Sequence, residues 1–230
     1  MDIYKDEFIE LCKRLESAVE KTYGQSSSAY LLLMKQETFR TYWSDINAIR
    51  EIRNLYQHNN LQIDGVDAFT LSQETVARLQ EIVDLLENPV LVSDVYVSGL
   101  VYGTMEESVL TIMRRMRKNK VSHLPILDGD GRLVGVFSKT TLFSKLLEYD
   151  NFEVSPDQTM KEYRKYLGIK NHESEAFGFI SLNTPVREAS QRFAKRYEGG
   201  KRLVALYVTE SGAEDEPIKG LVTPWDLLTK

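Results

Sequence analysis

The chain has 230 residues, of which 42% are hydrophobic and 27% are charged. This composition is typical of a folded globular protein and excludes a largely disordered one. The apolar run Ala29–Met34 is far shorter than the roughly 20 residues that cross a bilayer, and the acidic, amphipathic start lacks the pattern of a signal peptide. We therefore expect a cytoplasmic protein that does not bind membranes.

The residue types that commonly bind metal ions are few and scattered. The single cysteine, Cys12, has no partner for an internal disulfide and lies in an apolar stretch, which favours a buried structural thiol. The three histidines, His58, His123 and His172, are far apart and have no neighbouring cysteines, so a zinc site of ordinary spacing is not indicated. We expect no metal ion and no required cofactor.

The first part of the chain has the apolar periodicity of helices, with apolar residues recurring at spacings of three and four. A last helix is predicted to begin after Ser72, whose hydroxyl suits an N-cap, and to end before Pro89. We predict an all-α helical bundle at residues 1–88, irregular only from Asn59 to Thr70.

The net charge of -5 is unevenly distributed. Residues 1–88 carry 9 Lys and Arg against 15 Asp and Glu, whereas residues 89–230 carry 20 against 19. Because binding of nucleic acid depends on neutralising phosphates, the acidic first part disfavours general binding of RNA or DNA.

The region after Pro89 repeats itself. Thr104 aligns with Thr184 at an offset of 80, and Gly135 aligns with Gly220 at an offset of 85. The five extra residues fall in a polar loop, where the surface tolerates insertions. Each repeat is predicted to run as a strand or extended segment, a helix, a strand, a hairpin, a strand and a helix.

The segments SHLPILDGDGRLVGVFSKTTLFSKL and LVTPWDLL resemble CBS domains, named after cystathionine beta-synthase. The resemblance implies two β-α-β-β-α units that pack about a pseudo-twofold axis and leave two clefts. We therefore predict an α+β fold in which the helical bundle precedes a tandem CBS-domain pair. The predicted bounds are 1–88 for the bundle, 89–149 for the first CBS domain and 150–230 for the second, with an inserted helix at about 155–168.

In CBS domains, a Ser or Thr hydroxyl at the end of the third strand and an Asp three residues later hold the ribose of a nucleotide. Thr223 and Asp226 match this pattern, and a carboxylate suits vicinal ribose hydroxyls because it accepts their hydrogen bonds. Alternatively, the two residues only cap the last helix. In the first copy, Ser138 keeps the hydroxyl but Thr141 replaces the carboxylate, so we expect one good site and one weaker cleft.

The resemblance also implies further contacts with the ligand. The residues predicted to complete the better site are Ile180, Thr184, Lys201, Arg202 and Leu203. The weaker cleft is predicted to include Thr104 and His123, although His123 also suits a structural role. The basic run Arg114–Lys120 is interpreted as a solvated helix face, with contact to a partner or a phosphate as the alternative.

One further motif lies in the helical part. In IREIRNLYQHN, the residues Arg53, Asn54 and His58 form the pattern R-N-x-x-x-H, which resembles HEPN domains. Such domains are small helical bundles that often dimerise and include metal-independent ribonucleases, in which imidazole would move protons and arginine would stabilise the phosphate. The same side chains suit an ordinary polar helix face, and the acidic surplus disfavours RNA, so a structural or dimer-interface role is the favoured interpretation.

The sequence thus predicts a regulatory protein in which a CBS pair binds an adenine nucleotide and couples to a HEPN-like domain through residues 88–94, within a homodimer. AMP, ADP, ATP, S-adenosylmethionine and cyclic dinucleotides are not distinguished, because Thr223 and Asp226 would contact only ribose. The two alternatives are a nucleotide-gated ribonuclease and an interaction module with empty clefts.

Overall fold

The structure is a computed structural model. It describes residues 3–58, 62–63, 66–67, 69–147, 154–195 and 197–228. The chain divides into two compact units, Met1–Pro89 and Val90–Lys230. Among the described residues, no helix combines the length and the apolarity that a membrane span requires.

The first unit is built mainly from helices. Its elements are α1 (Lys5–Tyr23), α2 (Ala29–Leu33), a 3-10 helix (Glu37–Tyr42), α3 (Trp43–His58) and α4 (Gln73–Glu87). Apolar residues at helical spacing bury one face of α1 and one face of α4, with Phe8 and Leu79 fully buried. The predicted cap of α4 is present, since the Ser72 hydroxyl accepts a hydrogen bond from the Thr75 N–H at 3.3 Å.

The segment between α3 and α4 contains two short strands. These are β1 (Gln62–Ile63) and β2 (Val66–Asp67), and they pair antiparallel. The prediction of a wholly α-helical first domain is therefore wrong at this point. The sequence between the strands, Asp64-Gly65, is the composition that favours a two-residue hairpin loop, whereas strands this short escape a search for periodicity. The rest of the predicted irregular segment lies partly outside the described residues.

The second unit mixes helices and strands. Its first repeat contains α5 (Val109–Asn119), β3 (His123–Leu127), β4 (Leu133–Ser138) and α6 (Lys139–Leu146). Strands β3 and β4 form an antiparallel hairpin. The leading strand of this repeat is reduced to one parallel bridge between Gly103 and Ile126.

The helix inserted between the repeats is shorter than predicted. It consists of a 3-10 helix (Met160–Tyr163) followed by α7 (Arg164–Leu167), whereas the predicted start at Ser155 and Pro156 leads into a turn. A competing cap explains the difference, because the Thr159 N–H donates to Oε1 of Glu162 at 3.1 Å.

The second repeat contains a three-stranded sheet in the order β5-β6-β7, with β5 parallel and β7 antiparallel to β6. Its elements are β5 (Glu175–Ser181), α8 (Val186–Ala194), β6 (Arg202–Thr209), β7 (Gly220–Val222) and a 3-10 helix (Pro224–Leu227). The predicted last helix is only this 3-10 turn over the described residues. Leu227 packs against the core, but Trp225 and Leu228 are exposed, so burial does not favour a longer helix.

The alignment of Thr104 with Thr184 holds for the helices and fails for the leading strands. Each threonine precedes by five residues a fully buried residue of the following helix, Val109 in α5 and Ala189 in α8. Relative to the strands, Thr104 directly follows the bridging Gly103, whereas the second repeat has all of β5 and a turn before Thr184. The longer leading strand of the second repeat therefore displaces Thr184 along the sheet.

The two repeats meet through a small apolar cluster. Val136 of β4, Phe177 of β5, and Ala205 and Tyr207 of β6 are all buried there. This contact places strands from both repeats face to face, so polar residues at the strand ends of one repeat lie near those of the other.

Candidate functional site

Thr223 and Asp226 lie at the end of β7. The N–H and the Oγ1 hydroxyl of Thr223 both donate to Oδ2 of Asp226, each at 2.7 Å. Oδ1 of Asp226 has no hydrogen-bond partner within the part of the chain that the structure describes. Asp226 is half-buried. The carboxylate therefore caps the turn with one oxygen and keeps the other for an additional donor.

The start of β6 lies at the same end of the sheet as Thr223, because β6 and β7 are antiparallel. Arg202 is exposed there, whereas Leu203 is buried in the core and faces away from solvent. Nζ of Lys201 donates to the carbonyl oxygen of Lys170 at 3.3 Å. Of the three predicted residues at this strand start, Arg202 is the one whose side chain remains available to an anionic ligand.

Ile180 and Thr184 are not brought to this end of the sheet. In the parallel register of β5 with β6, Ile180 pairs with Val208, while Arg202 is six residues earlier, roughly 20 Å along the strand. Thr184 lies beyond β5, where its carbonyl oxygen accepts a hydrogen bond from the Val92 N–H at 2.8 Å. The resemblance implied contacts from the segment 180–184 before α8, whereas the parallel register brings the start of β5, not its end, near Arg202.

Ser138 and Thr141 form a reciprocal cap in the first repeat. The Thr141 N–H donates to Oγ of Ser138 at 3.3 Å, and the Ser138 N–H donates to Oγ1 of Thr141 at 3.1 Å. Both residues are only 2% exposed. As in the second repeat, the N–H of the first residue donates to a side-chain oxygen three residues later, but neither hydroxyl of Ser138 and Thr141 faces solvent.

Ser138 is covered by a polar cluster that the sequence analysis did not predict. Nε2 of His123 lies 2.8 Å from Oε1 of Glu175, and Nδ1 of His172 lies 3.5 Å from Oε2. Oγ of Ser138 donates to the same Oε2 at 3.5 Å. Both imidazole rings pack edge-on against Phe177, with centroids 5.7 and 5.0 Å away. A carboxylate of the second repeat thus occupies the polar end of the first.

The burial of His172 determines its charge. Its side chain is 1% exposed, and desolvation lowers its pKa below the ordinary value of 6.5, although the negative charge of Glu175 opposes the shift. Nε2 of His172 has no hydrogen-bond partner among the described residues. The neutral imidazole is therefore the favoured form. The short spacing of His172 and Glu175 at the start of a strand is the only signal in the sequence that marks this cluster.

Thr104 is separated from the polar cluster. Its N–H donates to Oε2 of Glu107 at 2.9 Å. Because the neighbouring Gly103 bridges to Ile126, Thr104 lies toward the opposite end of β3 from His123. The structure therefore does not bring Thr104 together with His123. No group of three His, Cys, Asp or Glu side chains within the described ranges is placed to hold a metal ion.

In the first unit, Arg53 of α3 is engaged by its neighbours. Its Nε lies 2.5 Å from Oε1 of Glu16, and its Nη1 donates to Oε1 of Gln57 at 2.5 Å. This pairing with an acid is the arrangement expected of a structural role. His58 ends α3, but its side chain lies outside the described residues.

A cavity of about 810 Å³ in the first unit is bordered by Arg53 and by the other motif residue, Asn54. Arg50 adds a second guanidinium to its wall, and Glu16 and Glu20 add two carboxylates. The charges on the wall therefore balance, which gives the cavity no net attraction for a phosphate backbone.

The comparisons with known proteins concern the second unit. The family model described as CBS domain matches residues 92–148. No curated protein matches the chain.

Several solved structures are similar to the chain at low identity. AcuB from Vibrio cholerae has 14% identity and a TM-score of 0.46, over 61% of this chain and 89% of that protein. The CBS domains of a transcriptional regulator from Streptococcus pneumoniae have 20% identity and a TM-score of 0.43, over 61% and 98%. The CBS domain of a bacterial CNNM/CorC family Mg²⁺ transporter in complex with ATP has 18% identity and a TM-score of 0.44, over 65% and 91%.

Proposed function

We propose that the second unit is a regulatory module that binds an adenosine-containing ligand beside Thr223 and Asp226. The observation that carries this proposal is that Oδ1 of the half-buried Asp226 carboxylate has no hydrogen-bond partner among the described residues. A ribose presents vicinal hydroxyl donors, and a charged acceptor binds such donors more strongly than a neutral one does. The match of the CBS domain model to residues 92–148 supports the same proposal. Thr223 and Asp226 lie outside that segment and resemble the ribose pattern of the family.

One adenosine site is proposed, not two. In the first repeat, the Ser138 hydroxyl already donates to Oε2 of Glu175, so it is engaged by a protein carboxylate and not by a ligand. Thr141 adds no charge with which to hold ribose. The ligand is AMP, ADP, ATP or another adenosine derivative such as S-adenosylmethionine, and Arg202 is the exposed cation at the same end of the sheet for its phosphates.

Trp225 provides an optical test of this proposal. It lies between Thr223 and Asp226 in the sequence and is 76% exposed. The chain contains 2 tryptophans, so Trp43→Phe leaves Trp225 as the only one. Titration of this variant with AMP is expected to change the Trp225 emission with a saturating profile.

Two further substitutions in that background locate the site. Thr223→Ala is expected to weaken AMP binding at least fivefold, roughly the effect of losing one hydrogen bond. The matched change in the first repeat, Ser138→Ala, is expected to leave the affinity unchanged. Emission that does not saturate with AMP, or an equal effect of both substitutions, would contradict the proposed site.

We further propose that ligand binding shifts the conformational equilibrium of a homodimer and is felt by the helical unit through residues 88–94. If this coupling exists, the rate of amide hydrogen exchange in α1 and α4 is expected to change when AMP is added. Unchanged exchange in both helices, under conditions where Trp225 reports saturation, would refute the coupling and leave the binding proposal intact. Sedimentation velocity tests the dimer separately.

A metal-independent ribonuclease gated by the nucleotide is the second candidate function. The observation that favours it is that Arg53 and Asn54 border one cavity together with Arg50, although two carboxylates on the same wall balance the guanidinium charges. The ion pair of Arg53 with Glu16 weighs against it, since a catalytic guanidinium must meet the phosphate. RNA cleavage without metal ions that is lost in His58→Ala would favour this candidate, and equal cleavage by both proteins would exclude it.

A further inference from the structure

A pocket of about 370 Å³ lies in the first repeat, between the second half of α5 and the junction of β4 with α6. This volume falls within the range of small-molecule sites. Its apolar wall consists of Met113, Met116, Val121, Phe137 and Leu142. Methionine side chains adapt their shape to a flexible apolar ligand, so two of them on one wall favour a chain or ring of variable outline.

The rim of this pocket is cationic. Arg117, Lys120 and Lys139 line it and are exposed, and no Asp or Glu is among the lining residues. Across the described ranges, none of these three side chains has an ion pair or a hydrogen bond. By contrast, Arg115 on the same helix is paired with Glu107. Within the described part of the chain, no acid therefore compensates the positive charge at the rim, which favours an anion.

The backbone of Lys120 gives an independent indication. Lys120 has φ of 55° and is the only non-glycine residue with positive φ within the described ranges. It occupies the left-handed position at the end of α5, where glycine is favoured because it has no Cβ. A lysine at this position costs stability, and its charge contributes to the rim.

We propose that this pocket binds a small amphiphilic anion, with the apolar body against the methionines and a carboxylate or phosphate group at the three cations. Such a ligand differs from the adenosine ligand of the second repeat, which requires an acceptor for ribose hydroxyls. The first-repeat pocket supplies cations and apolar surface, and its two hydroxyl residues, Ser122 and Ser138, add no charge.

Isothermal titration with octanoate, octyl phosphate, 1-octanol and inorganic phosphate tests this proposal. At least one of the two anionic amphiphiles is expected to bind at one site per chain, and their relative affinities identify the headgroup. The alcohol and inorganic phosphate are expected to bind at least tenfold more weakly. The alcohol lacks the anionic group, and inorganic phosphate lacks the apolar body. Equal binding of 1-octanol would leave only an apolar cavity, and equal binding of inorganic phosphate would leave only an ion site; either result overturns the proposal.

Lys120→Gly separates a structural from a binding role. It is expected to raise the Tm of the free protein, because glycine relaxes the left-handed backbone, and at the same time to weaken binding of the anionic amphiphile at least fivefold. Lys139→Gln is expected to weaken binding without the rise in Tm, and Lys118→Gln, on the same helix but outside the pocket, is the control that keeps wild-type affinity. Wild-type affinity in both Lys120→Gly and Lys139→Gln would refute the site.

Discussion

Thr223 gives both of its hydrogen bonds, from its N–H and its hydroxyl, to a single oxygen of Asp226. In the first repeat, the Ser138 N–H likewise donates to the side chain three residues later, but Thr141 has only one side-chain oxygen to offer. The two repeats therefore have a similar turn but differ in whether a side-chain oxygen is left over once the turn is capped. Only the second has a charged acceptor left for a ligand.

A carboxylate introduced into the first repeat is not expected to restore a site. Thr141→Asp would bury a second negative charge near Ser138, whose hydroxyl already contacts Glu175. We expect this variant to lose on the order of 2 kcal/mol or more of unfolding free energy and to gain no affinity for AMP. Urea unfolding and calorimetry measure the two quantities. Thr140→Asp, in the same helical turn, is the control, and tight AMP binding by Thr141→Asp at wild-type stability would contradict the account.

One glycine in each repeat is expected to tolerate no side chain, because a neighbouring group lies too close. A Cβ at Gly135 would collide with the backbone of Leu167, and one at Gly220 would collide with Tyr96. We expect Gly135→Ala and Gly220→Ala each to cost about 1–3 kcal/mol or more in thermal or urea unfolding, because neither neighbour yields without moving backbone or an inner ring. Gly129→Ala, with open space around its Cβ, is the matched control. Three equal stabilities would show that the close approaches are not real.

The stability of the second unit is expected to depend on pH through His172. Burial lowers the pKa of this imidazole in the folded state below its ordinary value of 6.5, so the unfolded chain binds more protons in that window. The stability due to neutral His172 is therefore complete above pH 6.5 and is lost as the pH falls toward the folded pKa. Glu175 and His123 face this ring and are present in every variant compared.

The control for this effect is His172→Phe, which keeps an aromatic ring but does not titrate. Urea midpoints at pH 7.5 and pH 5.5 are expected to differ more in the wild type than in this variant. An identical loss of stability in both proteins would assign the pH dependence to other groups.

Cys12 is expected to be inert in the folded protein. It is buried in α1, and desolvation raises the pKa of its thiol to about 11. Reaction with a thiol reagent at pH 8 is therefore expected to be very slow until urea unfolds the first unit. Because the chain has 1 cysteine, the reaction reports this unit alone. Rapid labelling of the native protein would show that the thiol is accessible.

Features that depend on neighbouring residues were predictable from the sequence, whereas features that depend on strand register were not. The buried face of α4 and its Ser72 cap follow from local spacing and chemistry. The cluster around Glu175 arises only when the two repeats are packed together, and no periodicity reveals which side chains then meet. The separation of Ile180 from Arg202 along the sheet was likewise not predictable, because the parallel register of two strands is not encoded in either strand alone.

A substitution of Asp226 at the end of β7 can distinguish a role in ligand binding from a role in capping the turn. Asp226→Asn keeps a side-chain oxygen for the two hydrogen bonds of Thr223, but it replaces the charged acceptor with an amide that also donates. If the carboxylate only caps the turn, this substitution should alter neither the stability nor the affinity for AMP by much.

The most direct measurement is therefore calorimetric titration of wild type and Asp226→Asn with AMP, alongside their urea unfolding curves. We expect nearly equal unfolding free energies and an affinity reduced roughly tenfold or more, corresponding to the loss of a charged hydrogen bond of about 1.5–3 kcal/mol. Wild-type affinity for AMP in a fully folded Asp226→Asn protein would contradict the assignment of this carboxylate to ribose.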